Sequence, residues 1–388
     1  MKRNSAASAA TTRSRNGKAS RSGRVVGLGI SAGAVLAVGM IPSATAPRAH
    51  ADIEDLFQPV IDAIAQAVTV ADPGLLNSLD SSLDAGSFAA PALAAAAENA
   101  TVPLQMTDGG IEPVVEVSVG GGPDIPVVAD TGSQGLLVPW YDIGLQNLLH
   151  LGAPITSGTV GYGGSPADPN MDVFYLQYDE TVDFGNGIET APTPVDLELF
   201  AYPATLSNLF NLSDYSLPGY LGAANADGFL GIGAENGMTP GPDSVVTALP
   251  GDLNEGVLLN ETGGYLEFGP NPLPSYASVE GAPITELEVS VGSGGAVPVE
   301  ATLDSGGIYG TMPESILTNA QLGENLSGEN ISVYTSTGQF LYSFDANAGY
   351  GPTVNSDDVM NTGYEAFQAY PVYVSYSPDG IGTMTFDY

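Results

Sequence analysis

The pattern of hydrophobic and polar positions changes character along the chain. Val25 to Ile41 is an uncharged, largely apolar run, diluted by Gly27, Gly29, Gly33 and Gly39 and followed by Pro42. Leu56, Phe57, Val60, Ile61, Ile64 and Val68 then recur near a period of 3.6, which predicts one short amphipathic helix with Pro59 in its first turn and its end before Pro73. Residues 73 to 101 are rich in Ala, Ser and Asp and read either as a spacer or as an alanine-favoured helix packed on the main body. From about residue 102 the period drops to two, in short runs bounded by Gly, Pro, Asn and Asp, as half-buried strands require. Val195 to Leu199 alternates strictly, as do parts of Tyr265 to Phe268, Leu287 to Val291 and Pro371 to Tyr376. Only Tyr141 to His150 and Glu314 to Gln321 carry a helical pattern, so the expected body is all-β.

Charge sharpens the division. All eight basic residues precede residue 49, and all 44 acidic residues follow residue 51. A basic start, an apolar run and the small-x-small ending Ala49-His50-Ala51 are the three parts of an export signal, so residues 1–51 are expected to be a signal peptide and the protein to be secreted or held at the cell surface. The apolar run is short and glycine-diluted for a membrane span. Cleavage after Ala51 would leave a chain without Lys or Arg, which excludes nucleic acid and anionic membrane surfaces as partners.

The inventory of reactive side chains is equally restrictive. There is no Cys, and of the two His only His150 lies beyond the signal, where it ends a candidate helix and reads as structural. Thiol chemistry, a disulfide framework and a Lys Schiff base are excluded for the mature chain, and a Ser-His-Asp triad or a histidine-based zinc site would have to use His150 alone. Gly27-Leu28-Gly29 imitates a dinucleotide fingerprint but has no strand before it. Asn225-Ala226-Asp227-Gly228 imitates a calcium loop, yet that register puts Ala223 and Ala234 where acidic ligands belong. No metal or cofactor is expected, and any proton transfer falls to carboxylates.

Two carboxylates stand out because their surroundings are duplicated. Glu116-Val117-Ser118-Val119-Gly120 recurs unchanged as Glu288-Val289-Ser290-Val291-Gly292. Pro126 follows Glu116 by ten residues, as Pro298 follows Glu288, and each leads into an apolar strand ending in Asp-(Thr/Ser)-Gly: Asp130-Thr131-Gly132 and Asp304-Ser305-Gly306. Asp130 to Pro139 and Asp304 to Pro313 are again equally spaced. A duplicated β unit that cannot bury its apolar face alone tends to pack on its copy about a pseudo-twofold axis, which can bring the two Asp together. Two carboxyls in close contact and poorly solvated share one proton, giving a general base and a general acid in one site. The glycines allow tight loops, and the hydroxyls of Thr131, Ser133 and Ser305 can brace them.

These residues resemble those of the pepsin-like aspartic proteases. Asp130 to Pro139 is similar to the first catalytic loop and its following strand, and Leu303-Asp304-Ser305-Gly306 to the second. Asp227 to Gly233 is similar to the segment that closes behind the first aspartate, and Gly264 to Gly269 to the strand leading between lobes. The helix-plus-spacer at Asp52 to Ala100 and the Gly-rich character are closer to the mycobacterial PE-associated (PecA-type) branch. The resemblance covers about residues 105 to 388 and implies a bilobal all-β pepsin-like fold with pseudo-twofold related lobes, residues 102–270 and 271–388, preceded by the helical segment at 52–101. It also implies a surface or secreted aspartic endopeptidase acting on polypeptides, itself or other exported proteins. On the same resemblance Asp130 and Asp304 are catalytic, and Thr131 and Ser305 link the loops across the axis beside Gly132 and Gly306. Ser133 supports Asp130, and Tyr162, among Gly161, Gly163 and Gly164, is the substrate-binding flap tyrosine. One position departs: Gly307 stands where the family carries Ser or Thr, leaving Asp304 without a matching hydroxyl.

That departure keeps a second reading open, a surface binding protein that retained the fold and lost catalysis. A calcium-dependent adhesive β protein is a third, supported by acidity alone. The 44 acidic residues are expected mostly to form a solvated surface, with no catalytic role for any other Asp or Glu. Their mutual repulsion at neutral pH predicts activity favoured below neutrality.

Overall fold

The computed structural model describes residues 99–388, apart from 164–169, 206–207, 235–242, 319, 347–350 and 377–381. The expected signal segment, the amphipathic helix and the spacer up to residue 98 lie outside the described residues.

The first half supplies β1 (Ala100–Pro103), β2 (Gln105–Thr107), β3 (Glu112–Val119), β4 (Ile125–Asp130), β5 (Gln134–Pro139), β6 (Thr156–Tyr162), β7 (Met171–Glu180), β8 (Val182–Asp183), β9 (Thr193–Pro203), β10 (Gly228–Ile232), β11 (Gly256–Asn260) and β12 (Tyr265–Phe268). The second half continues with β13 (Ser275–Glu280), β14 (Ile284–Val291), β15 (Val297–Thr302), β16 (Thr311–Pro313), β17 (Asn330–Thr335), β18 (Phe340–Asp345), β19 (Thr353–Asn355), β20 (Val359–Asn361), β21 (Val372–Ser375) and β22 (Thr383–Asp387). One sheet runs β2-β3-β4-β10-β5-β9-β7-β6, with β8 on β3, and a second runs β18-β17-β14-β15-β20-β16-β19. The all-β pepsin-like fold follows from how these two sheets match.

The path β3-β4-β10-β5-β9 corresponds strand for strand to β14-β15-β20-β16-β19. In both paths the successive pairings are antiparallel, parallel, antiparallel and parallel. The ten-residue spacing seen in the sequence is a ladder register: Glu116 lies opposite Pro126, and Glu288 opposite Pro298. The two extra residues of the second copy fall after Pro298, where β15 ends at Thr302 and Leu303 leads on to Asp304. A third sheet, β1-β12-β11-β21-β22-β13, joins strands from both sides of residue 270.

Central strands read as continuous apolar runs because both faces are covered; every residue of β5, β10 and β11 is buried. Helical patterning was overridden by this sheet framework. Tyr141 to His150 contributes one helical turn, Leu145–Leu148, opened by Gly144 at positive φ, and Glu314 to Gln321 contributes only a 3-10 turn at Glu314–Ile316. The alternation of β9 also misleads. Asp196 and Glu198 are buried along with their apolar neighbours, because β9 is covered on both sides and they take local donors: Gln177 Nε2 to Asp196 Oδ1 at 3.0 Å, and the Leu217 N–H to Glu198 Oε1 at 3.3 Å. Several carboxylates are exceptions to the mostly solvated surface expected from sequence. Glu112, Asp196, Glu198 and Glu261 are each about 95% or more buried.

Candidate active site

Asp130 ends β4, and Asp304 follows β15, so each sits where a sheet strand gives way to a tight Asp-x-Gly loop. In each loop the glycine N–H turns back onto its own aspartate: Gly132 N donates to Asp130 Oδ1 at 2.7 Å, and Gly306 N to Asp304 Oδ1 at 3.0 Å. Both glycines are required for a further reason. A Cβ on Gly132 would lie 2.5 Å from the Asp304 carboxyl carbon, and one on Gly306 would lie 2.9 Å from that of Asp130. Each loop is therefore shaped to admit the other's carboxyl group.

The residues between those Asp and Gly lock the loops together reciprocally. Thr131 N donates to Ser305 Oγ at 3.0 Å and Ser305 N to Thr131 Oγ1 at 2.9 Å. Each hydroxyl then donates to the carbonyl just before the opposite aspartate, Thr131 Oγ1 to Leu303 O and Ser305 Oγ to Ala129 O, both at 2.7 Å. Both side chains are fully buried, so none of these four bonds competes with water. Replacing Thr131 by Val keeps the shape but strands the Ser305 N–H and the Leu303 carbonyl. The expected cost is about 2–4 kcal/mol, read as a drop in the denaturation midpoint, while Thr131→Ser stays close to wild type. An unchanged midpoint in Thr131→Val would show that the lock contributes nothing to stability.

The two carboxyl groups face each other, each against the glycine of the opposite loop. Asp130 is held well above the ordinary carboxylate range, first by burial, then by the charge of Asp304 and the bond to it; the Gly132 N–H and the nearby Ser133 hydroxyl pull the other way. Ser133 Oγ lies beside Asp130 yet closes no hydrogen bond of normal geometry. A proton on Asp130 is what this environment favours.

Tyr162 ends β6, in the hairpin with β7, and stacks flat on Phe229 of β10 with ring centroids 4.3 Å apart. Burial raises its hydroxyl well above the normal phenol range, and the charge of Asp130 adds to the shift, which places the ring near the pair. Gly164 lies outside the described residues. His150 is exposed.

Three residues near the pair were missed from sequence. Glu112, at the start of β3, is pushed up to about 8 by burial and then by Asp304, Asp108 and Glu261. The Tyr220 hydroxyl is raised to about 12, by burial and then by Asp214, Asp304, Glu112 and Asp130, and abuts Gly163 beyond Tyr162. Asn361, the last residue of β20, donates from Nδ2 to Asp304 Oδ2 at 2.5 Å. A signal for it did exist. Asp130 pairs with Gly231, and Thr302 with Asn361, so extending the second ladder by two residues sets Gly363 beside Asp304. Val359 to Gly363 is thus the second copy of the Gly-ended segment at 227–231, and Asn361 takes the place of Phe229.

Residues 100–384 match the family model of the PE-PGRS C-terminal aspartyl peptidase-like domain. The chain is 44% identical over 299 residues to PE cleavage protein A of Mycobacterium tuberculosis (strain CDC 1551 / Oshkosh), covering 74% of this chain and 52% of that protein. It is 41% identical over 298 residues to PE cleavage protein A of Mycobacterium marinum, with the same shares of both chains. The chain thus spans about half the length of the curated relatives it matches.

Proposed function

The chain belongs to the family of PE-PGRS C-terminal aspartyl peptidase-like domains, and we propose that it is an aspartic endopeptidase in which Asp130 and Asp304 together activate one water molecule. The observation that carries this reading is the approach of the buried Asp130 and the half-buried Asp304 inside a reciprocal hydroxyl lock, a costly arrangement for two charged groups unless a proton is shared. In the first step the Asp304 carboxylate takes a proton from water as the oxygen attacks the peptide carbonyl. Asp130 gives its proton to the carbonyl oxygen, so that a neutral gem-diol forms. In the second step the amide nitrogen receives a proton from Asp304, the C–N bond breaks, and the gem-diol returns a proton to Asp130, leaving a carboxylic acid and an amine. The single negative charge passes from Asp304 to Asp130 in the first step and back in the second, and fixed donors meet it at both places: the Gly306 N–H and the Asn361 carboxamide at Asp304, and the Gly132 N–H at Asp130.

The substrates we propose are exported polypeptides, PE proteins among them. The name of the relatives supports this, as does the charge division that marks residues 1–51 as an export signal. A surface or secreted location goes with it. Polypeptides rich in Lys and Arg are favoured at encounter, because the chain beyond Arg48 carries no cation other than a protonated His. The non-catalytic reading rested on Gly307, and the amide on Asp304 removes its main support.

The test is incubation of the purified protein with an unfolded polypeptide and with a PE protein, with and without a statine-type inhibitor and a chelator. Cleavage blocked by the first and indifferent to the second is expected. No cleavage of any substrate between pH 3 and 8 would overturn the reading. We further assign Tyr162 as the flap residue. Tyr162→Ala is expected to lower kcat/KM by about tenfold to 100-fold through lost substrate positioning, and Tyr162→Phe, which keeps the stack on Phe229, to stay within a few-fold. Equal kinetics for Tyr162→Ala and wild type would remove Tyr162 from the site.

A further inference from the structure

We propose that Asn361 is the positioning residue of Asp304, doing with its carboxamide what a hydroxyl at position 307 cannot do. The inference rests on the reading that the aspartate pair is catalytic, and it adds a residue from a different strand to that pair.

Three observations fit together. Asp304 has its Oδ1 held by the Gly306 N–H, which leaves Oδ2 to be fixed by something else, and the Asn361 Nδ2 reaches it at 2.5 Å. The orientation of the amide is determined by its other end: the Gly363 N–H donates to Asn361 Oδ1 at 2.9 Å, so the NH2 must face the carboxyl. Finally, the space is already filled. A Cβ on Gly307 would lie 2.6 Å from Asp304 Oδ2 and 2.7 Å from Asn361 Oδ1. Gly307 is not at positive φ, so its backbone would accept a side chain; what excludes one is the Asp304 carboxyl in the position where the Asn361 amide holds it, together with that amide. Position 307 and position 361 therefore compete for one volume and one task. The glycine that looked like a lost hydroxyl is the gap through which an amide from β20 enters.

An N–H donor favours the charged carboxylate over the acid, so removing it weakens the charged state of the pair. Asn361→Asp keeps the volume and the acceptor for the Gly363 N–H but sets a third carboxyl against Asp304 in place of the amide donor. Asn361→Ala opens the space. In either variant kcat is expected to fall about tenfold or more with KM little changed, and the acidic limb of the kcat/KM profile in Asn361→Ala to move up by about one pH unit. Gly307→Ser alone is expected to lose activity through crowding, whereas Gly307→Ser added to Asn361→Ala should regain several-fold over Asn361→Ala. That reversal of sign is a result a merely structural asparagine would not give.

Unchanged kinetics and pH profile in Asn361→Asp and Asn361→Ala would overturn the proposal. So would a slow Asn361→Ala whose acidic limb stays in place and which Gly307→Ser does not rescue. If the wild type cleaves nothing, the reading of the pair as catalytic fails by itself. Carbon-13 carboxyl NMR then decides the present point: the lower macroscopic pKa of the pair rises in Asn361→Ala if Asn361 positions Asp304, and stays where it was if it does not.

Discussion

Replacing Asp130 by Asn is expected to lower peptide hydrolysis by about a thousandfold or more, replacing Asp304 by Asn is expected to do the same, and the double variant is expected to lose little further activity. The reason is that neither carboxyl works alone. Water activation and carbonyl protonation draw on one shared proton, and an amide in either place can neither accept nor hold it at the right energy. The fold should tolerate both changes. Asn matches Asp in volume, its oxygen can still accept the Gly132 or Gly306 N–H, and the Thr131–Ser305 lock does not involve the carboxyls. Thermal melts near pH 7 are accordingly expected close to the wild-type value. Steady-state assays on refolded, melt-verified protein check this. A folded Asp130→Asn or Asp304→Asn variant retaining a tenth of wild-type turnover would end the two-carboxylate mechanism.

The core of this site could be read from sequence because duplication leaves its mark at fixed offsets. Glu116 to Pro126 and Glu288 to Pro298 are hairpin partners, and partners across a ladder cannot drift apart in sequence without breaking register. Such a repeat survives as spacing even where side chains differ. Harder to read is a position that keeps its place in the repeat while its side chain changes. Asn361 reaches Asp304 from 57 residues away, on a three-residue strand too short to carry a periodic signal, and it is the ladder register that sets it where Phe229 stands in the first copy. Glu112 and Tyr220 are ordinary in their local sequence and become unusual only through burial near other carboxyls. The buried Asp196 and Glu198 show the same limit. Alternation along β9 says which side chains share a face, but whether that face meets water depends on what is laid over it.

Those buried acids carry the second large prediction: the protein is expected to lose stability steadily as pH rises from about 4.5 to 8. Burial raises Glu112 and Glu261 to about 8, and Asp196 and Glu198 to about 7. For Glu112 nearby carboxylates add to the shift, whereas Gln177 partly offsets it at Asp196 and the Leu217 N–H at Glu198. All four folded values lie above the unfolded ones, so between them the native state binds more protons than the unfolded state, and the slope of unfolding free energy against pH is negative. The stabilisation is complete below the unfolded carboxylate pKa and is lost as pH climbs through the folded values. A Tm lower by 10 °C or more at pH 8 than at pH 4.5 is the expected order of effect. Surface repulsion among the 44 carboxylates acts in the same direction but is screened by salt, whereas desolvation of buried groups is not. Melts in 1 M NaCl separate the two, and most of the pH slope should survive there. Glu261→Gln isolates one group: its Tm should match wild type at pH 4.5 and exceed it at pH 8. A slope that vanishes in salt, or a Glu261→Gln variant no more stable than wild type at pH 8, would assign the effect to the surface instead. Activity has a matching limit, because the proton shared by Asp130 and Asp304 is also lost as pH rises; cleavage should peak below neutrality, and a maximum at pH 8 would contradict the shared-proton state itself.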